Sequence, residues 1–188
     1  MKKILRVMIL PAFVFILCSI LILPVNAAKK NAAPMGNNDL KLHYGAKKTL
    51  GLFETDYKQF TKLVGNTGAW EDADKYQYTW NDGQAAFIKT GEMEKPELVQ
   101  IVLEDNFKTP RGIKKDSSLS ELIKAYPEYS ETTEGGNGLW YVFKWTATSK
   151  SPFVNGKEFS LSFFVEDDKV KSVLLKLAGE ETAEIPVG

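Results

Sequence analysis

One pattern occurs twice along the chain, and it restricts the fold more than anything else in it. Asp56-Tyr57-Lys58-Gln59-Phe60 and Ser118-Leu119-Ser120-Glu121-Leu122 each open on a helix-capping residue and carry Gln or Glu three places later. Tyr57, Phe60 and Val64 then match Leu119, Leu122 and Tyr126 as one apolar helix stripe, stopped by Gly65 in the first case and Pro127 in the second. Downstream, Tyr76-Gln77-Tyr78-Thr79-Trp80 matches Tyr141-Val142-Phe143-Lys144-Trp145, and Leu98 to Leu103 matches Val170 to Leu175. These runs alternate or are continuously apolar, as strands are. The order predicts an α+β fold of tandem helix-plus-three-strand repeats, an antiparallel sheet with both helices packed on one face. The units are expected at 40–106 and 107–178, with a short tail over 179–188. Asp82-Gly83 suits a tight type I′ hairpin. Ala147 to Lys157 makes the corresponding connection of the second unit longer, and the last hairpin turns at Glu166-Asp167-Asp168-Lys169.

The N-terminus is of another kind. Lys2, Lys3 and Arg6 precede an apolar run from Val7 to Val25, and small residues follow at Ala27-Ala28. Residues 1–27 therefore read as a secretory signal peptide cleaved after Ala27. The alternative is an uncleaved membrane anchor, since the run approaches the roughly 18 residues that span a bilayer. Phe15-Ile16-Leu17 before Cys18 lacks the small residue that lipidation needs. Cleavage would remove the single cysteine, leaving neither disulfide nor thiolate chemistry. The chain balances 24 basic against 24 acidic residues, and the leader holds three of the cations and no acid, so the remainder carries about −3. Its charges are scattered and form no basic stripe, which argues against a nucleic-acid partner. Residues 28–39, rich in Lys, Ala, Asn and Pro, read as a flexible tether.

The run Thr109-Pro110-Arg111-Gly112-Ile113-Lys114-Lys115-Asp116-Ser117-Ser118, leading into a capped helix and then strands, resembles the Gly-hydrophobic-x-x-Gly-Asp-Ser segment of domains related to β-lactamase inhibitory protein. The tandem arrangement is similar to that family and to the small outer-membrane-assembly lipoprotein family of related fold, over about residues 48–178. Lys115 stands where that pattern has Gly. The resemblance implies the fold; no contact loop of the inhibitor matches residue by residue, so it implies no target.

Alternation sorts the aromatic residues onto two faces. If the strands around Trp145 and Phe159 pair across the long connection, Leu139 meets Val165, Tyr141 meets Phe163, Phe143 meets Leu161 and Trp145 meets Phe159, all on a core face. Tyr76, Tyr78 and Trp80, with Ala85 and Phe87, form the core face of the first unit. The other face pairs Val142 with Ser162 and Lys144 with Ser160. It leaves Trp140 opposite Phe164, with Val173 expected beside them. Two readings stay open for that ring pair: cover by the Leu40 to Leu52 segment, or a binding surface made of Trp140, Phe164, Gln77, Lys144, Val142 and Ser162, an apolar centre with a hydrogen-bonding rim.

Reactive chemistry is sparse. His43 is the single histidine and has no nucleophile to serve. The acidic groups Glu71, Asp72, Asp74 and Glu166, Asp167, Asp168 lack calcium-loop spacing. Gly135-Gly136-Asn137-Gly138 precedes a strand and not a helix N-terminus, so it is no phosphate loop. No metal or cofactor is expected. The expectation is an exported, non-enzymatic binding module that holds a protein or cell-envelope component on an open sheet face. A membrane-tethered structural or assembly factor is the alternative, with membrane contact only if the leader is retained. A hydrolase using paired carboxylates ranks third.

Overall fold

The computed structural model describes residues 33–65, 68–72, 75–89, 95–151 and 153–178. The leader read over 1–27, the tether up to residue 32 and the tail from 179 lie outside them, as does Asp74. Among the described residues, no helix is long and apolar enough to cross a membrane.

Both capped segments form helices, α1 (Tyr57–Val64) and α2 (Leu119–Ala125). Asp56 Oδ1 accepts from the Gln59 N–H at 2.8 Å while the Gln59 side chain accepts from the Asp56 N–H at 3.2 Å. Ser118 Oγ accepts from the Glu121 N–H at 3.2 Å, and Glu121 returns a 2.7 Å bond from the Ser118 N–H. Each box satisfies two backbone donors that the first helical turn otherwise leaves unmet. Gly65 ends α1 with φ 86, and Tyr126, kept out of the helical region by Pro127, ends α2. Ser118→Ala should therefore lower stability by about 0.5–2 kcal/mol, read as a shift of the denaturant midpoint with an unchanged slope.

The tandem helix-plus-three-strand repeat does not hold. Four strands of the large sheet follow α1: β3 (Gly68–Asp72), β4 (Lys75–Trp80), β5 (Gly83–Ile88) and β6 (Glu97–Leu103). Four more follow α2: β8 (Glu131–Gly135), β9 (Gly138–Thr146), β10 (Glu158–Glu166) and β11 (Lys169–Leu177). All join one eight-stranded antiparallel sheet in the order β3-β4-β5-β6-β11-β10-β9-β8, in which β6 and β11 meet at the centre. A second, three-stranded sheet, β2-β1-β7, combines β1 (Lys41–Tyr44), β2 (Lys48–Gly51) and β7 (Phe107–Lys108). Among the described residues the fold is thus predominantly antiparallel sheet, α+β through the two short helices α1 and α2. The missed strands β3 and β8 are the two edges of the large sheet. An edge strand has one neighbour and needs little apolar alternation, and Glu131-Thr132-Thr133-Glu134-Gly135 shows none.

Both helices lie on the same face of the large sheet. Phe60 of α1 meets the rings of Tyr78, Trp80 and Phe87 at centroid distances of 5.8, 5.2 and 5.2 Å. Tyr126, just past α2, meets Phe143 and Phe163, both at 5.3 Å. The small sheet adds Leu42 and Leu50 to this same core, and Leu52 just after β2 joins them. Burial of so many apolar side chains, at about 1.5–3 kcal/mol each, is what holds a chain without disulfides together.

The end of the expected tether is structured. Asn37–Leu40 forms a 3₁₀ turn, and Asp39 within it is buried. Its carboxylate accepts from Arg111 Nε at 2.9 Å and from Nη2 at 3.0 Å, a two-pronged ion pair. The guanidinium also donates to the carbonyls of Pro34 and Ala125, and lies 4.8 Å over the ring of Tyr126. Burial pushes the Tyr126 phenol well above its ordinary range. Arg111 belongs to the loop that resembles the inhibitor-like lead-in. Here that loop is closed by a pair of bonds between Thr109 and Ile113, and by positive φ at Gly112 and Asp116.

The β4–β5 hairpin turns one residue earlier than Asp82-Gly83 suggests. Trp80 pairs with Gly83, Tyr78 with Ala85 and Tyr76 with Phe87, so Asn81 and Asp82 make the turn. The core-face membership is kept because the register moves by two. Asp82 is held by donors from Tyr44 Oη and Asn106 Nδ2, and its carbonyl accepts from the Glu104 N–H. Gly83 is required for a different reason: a Cβ there would stand 2.0 Å from the Val102 carbonyl oxygen. The turn with two positive φ angles is instead Asp167-Asp168, at 50 and 56.

Candidate functional site

The face of the large sheet away from the helices carries the second set of residues. Strands β9 and β10 pair in the register that the apolar alternation demands: Leu139 with Val165, Tyr141 with Phe163, Phe143 with Leu161 and Trp145 with Phe159. The intervening positions therefore point the other way. Three cross-strand rows result. Lys144, Ser160, Lys176 and Gln100 stand opposite one another on β9, β10, β11 and β6. Val142, Ser162, Leu174 and Val102 form the next row, and Thr133, Trp140, Phe164 and Ser172 the third. Val173, expected beside the ring pair, lies on the core face opposite Phe163, because β11 is in step with β10 there until the bulge after Phe164.

These rows enclose an open groove of about 440 Å³. Trp140 and Thr133 line one end, Val142, Ser162 and Leu174 the middle, and Lys144, Ser160 and Lys176 the other end, with Glu158 and Ala178 beyond. The Trp140 and Phe164 rings lie 5.3 Å apart at 42° and are both partly exposed. Two glycines let them settle against the β8–β9 hairpin. A Cβ at Gly138 would meet the Phe164 ring at 2.8 Å, and one at Gly135 would meet Trp140 Nε1 at 2.7 Å. The glycine-rich turn thus serves close packing of the ring pair, a role its composition alone did not disclose.

The Leu40 to Leu52 segment does not cover this site. Leu40, Leu42, Leu50 and Leu52 all enter the core, and Phe53 meets Phe159 edge-on on the helix side of the sheet. Of the six residues expected at the site, Trp140, Val142, Lys144 and Ser162 line the groove, and Phe164 supports it from behind Trp140. Gln77 does not join them. It shares the face but sits on β4, five strands from β9, or about 24 Å at the usual spacing between strands. Thr133, Leu174, Lys176, Glu158 and Ala178 were not anticipated. Alternation on β11 assigns Leu174 and Lys176 to this face, but only the pairing of β10 with β11 places them beside Ser162 and Ser160.

Two polar groups on this face are unusual. Ser160 is 2% exposed and its hydroxyl has no hydrogen-bond partner; Gln100, 3% exposed, leaves its side-chain oxygen likewise unmet. Buried polar groups are nearly always paired, so both are exceptions on this face. Elsewhere, His43 is exposed on β1 and bonded to Thr49. Among the described residues, no three His, Cys, Asp or Glu side chains are grouped to hold a metal.

No family model matches the chain, and no curated protein matches it. Among solved structures it is similar to a crystal structure of a DUF4309 family protein, YjgB from Bacillus subtilis. The identity is 16%, the alignment covers 81% of this chain and 92% of that one, and the TM-score is 0.40. A likeness of that size carries no conclusion about this chain.

Proposed function

We propose that the chain is an exported, non-enzymatic binding module that holds a protein or cell-envelope component in the groove on the helix-free face of its sheet. One observation carries the reading: a partly exposed Trp-Phe pair stands at the end of a groove whose floor contains a buried hydroxyl without a partner. An apolar anchor ringed by polar groups is what binding surfaces concentrate. Export rests on the leader-like run at 1–27.

The test is capture from the extracytoplasmic fraction with the wild-type chain and with Trp140→Ala as baits. Folding of the variant should stay within about 1 kcal/mol of the parent, because the ring is only partly buried. Affinity should fall by about 2 kcal/mol or more, roughly 30-fold. Equal capture by both baits would remove Trp140 from the site.

A further inference from the structure

We propose that the outer edge of β8 takes an extended peptide of alternating basic and apolar residues as a ninth strand, seated beside Trp140. This inference rests on the open-face reading above and names the partner's chemistry. β8 ends the large sheet, and among the described residues no strand pairs with its outer side. Gly136-Asn137 is a two-residue turn, so the Gly135–Gly138 pair that closes it exchanges hydrogen bonds, and the pairs Thr133–Trp140 and Glu131–Val142 do so by alternation. Thr132 and Glu134 therefore aim their N–H and C=O groups outward, where none of them meets a partner among the described residues. Sheet edges are commonly guarded by Lys or Pro, and β8 has neither.

Two features select the occupant. The first is a ring over a glycine: Gly135 shares the groove face with Thr133, and a Cβ built on it would stand 2.7 Å from Trp140 Nε1, so the indole fills the space of the missing side chain. A residue added opposite Gly135 sets its side chain directly beside the indole. The second is charge. From Glu128 to Phe143 the sequence has three glutamates and no Lys or Arg. Glu128 and Glu134 are exposed and form no ion pair among the described residues. Glu134 stands on the helix side opposite Leu139, which is 38% exposed. A Lys or Arg added opposite Glu134 meets the carboxylate and covers Leu139 with its stem. Alternation along the added strand thus calls for an apolar residue at Gly135 and a basic one at Glu134, while the outward backbone groups supply the ladder. A second copy of the chain fits poorly, because β8 against β8 brings like charges onto one shared edge. Segment 179–188, with three glutamates and no cation, fits no better.

The test follows amide hydrogen exchange at Thr132 and Glu134 in the isotope-labelled full chain while the peptide Lys-Val-Lys-Phe-Lys-Val is titrated in. Glu-Val-Glu-Phe-Glu-Val is the charge control, and Lys-Pro-Lys-Phe-Lys-Pro keeps the charge but cannot form a strand. Both amides should exchange fast in the free chain and about tenfold or more slowly with the basic peptide, and neither control should protect them. Thr132→Pro removes an outward N–H and spares the ladder to β9, so it should keep the denaturant midpoint and lower the affinity about tenfold. Glu134→Lys, at an exposed position, should reverse the preference between the basic and acidic peptides at unchanged stability. The inference is overturned if both amides are already slow in the free chain, since the edge is then covered by this chain or a second copy. It is equally overturned if the proline peptide protects them, or if Glu134→Lys leaves the preference unchanged. A partner lost with Trp140→Ala but captured equally by Thr132→Pro and Glu134→Lys would retain the open-face reading and discard the added strand.

Discussion

Replacing Asp39 by Ala should destabilise the protein by about 3–5 kcal/mol, a large part of the 5–15 kcal/mol that a domain of this size has. Asp39 is 4% exposed and holds two nitrogens of Arg111, whose own side chain is 17% exposed. Without the carboxylate, the guanidinium keeps the Pro34 and Ala125 carbonyls and the Tyr126 ring but stays charged in a place that water reaches poorly. The penalty therefore comes from the charge left behind more than from the bonds lost. The double replacement Asp39→Leu with Arg111→Met removes both charges and should recover most of the stability. Denaturant midpoints for the single and double variants decide between the two sources. If the double variant is as unstable as the single, the pair holds residues 34–40 in place by geometry and not by charge balance.

The second large effect is at Phe60. It is fully buried and touches three rings, Tyr78, Trp80 and Phe87, so Phe60→Ala removes the centre of the cluster beneath α1. The cost should be about 3–5 kcal/mol, from lost transfer energy and an unfilled cavity. Trp80 lies 5.2 Å away, so its fluorescence should change in the folded state as well. Phe60→Leu, which fills much of the space, should cost clearly less. A midpoint within about 1 kcal/mol of the parent for Phe60→Ala would mean that α1 contributes little to the core.

Particular residues show why some of this was legible in the sequence. The capping boxes at Asp56 and Ser118 are local, complete within four residues, and both are present in the structure. The pairing of Trp140 with Phe164 was legible because a slip of one residue would bury Lys144 and expose Phe143. What could not be read depends on distant partners or on missing signal. Edge strand β8 is polar on both faces. Asp39 and Arg111 meet across 72 residues with no pattern linking them. Gly83 looks like a turn glycine and is instead demanded by the approach of β6. At the groove, parity along a strand assigns a face but not a neighbourhood. That is why Gln77 was grouped with residues about 24 Å away, and why Lys176, directly opposite Ser160, was missed.

The account depends on the helix-free face being the one that meets a partner. Photocrosslinking in the producing cell tests this directly, with a photoreactive amino acid in place of Lys144 in the groove or in place of Lys58, exposed on α1. The account predicts a discrete adduct from position 144, its loss when Trp140→Ala is added, and none from position 58. Adducts from position 58 alone, or equal adducts from both positions that survive Trp140→Ala, would contradict it.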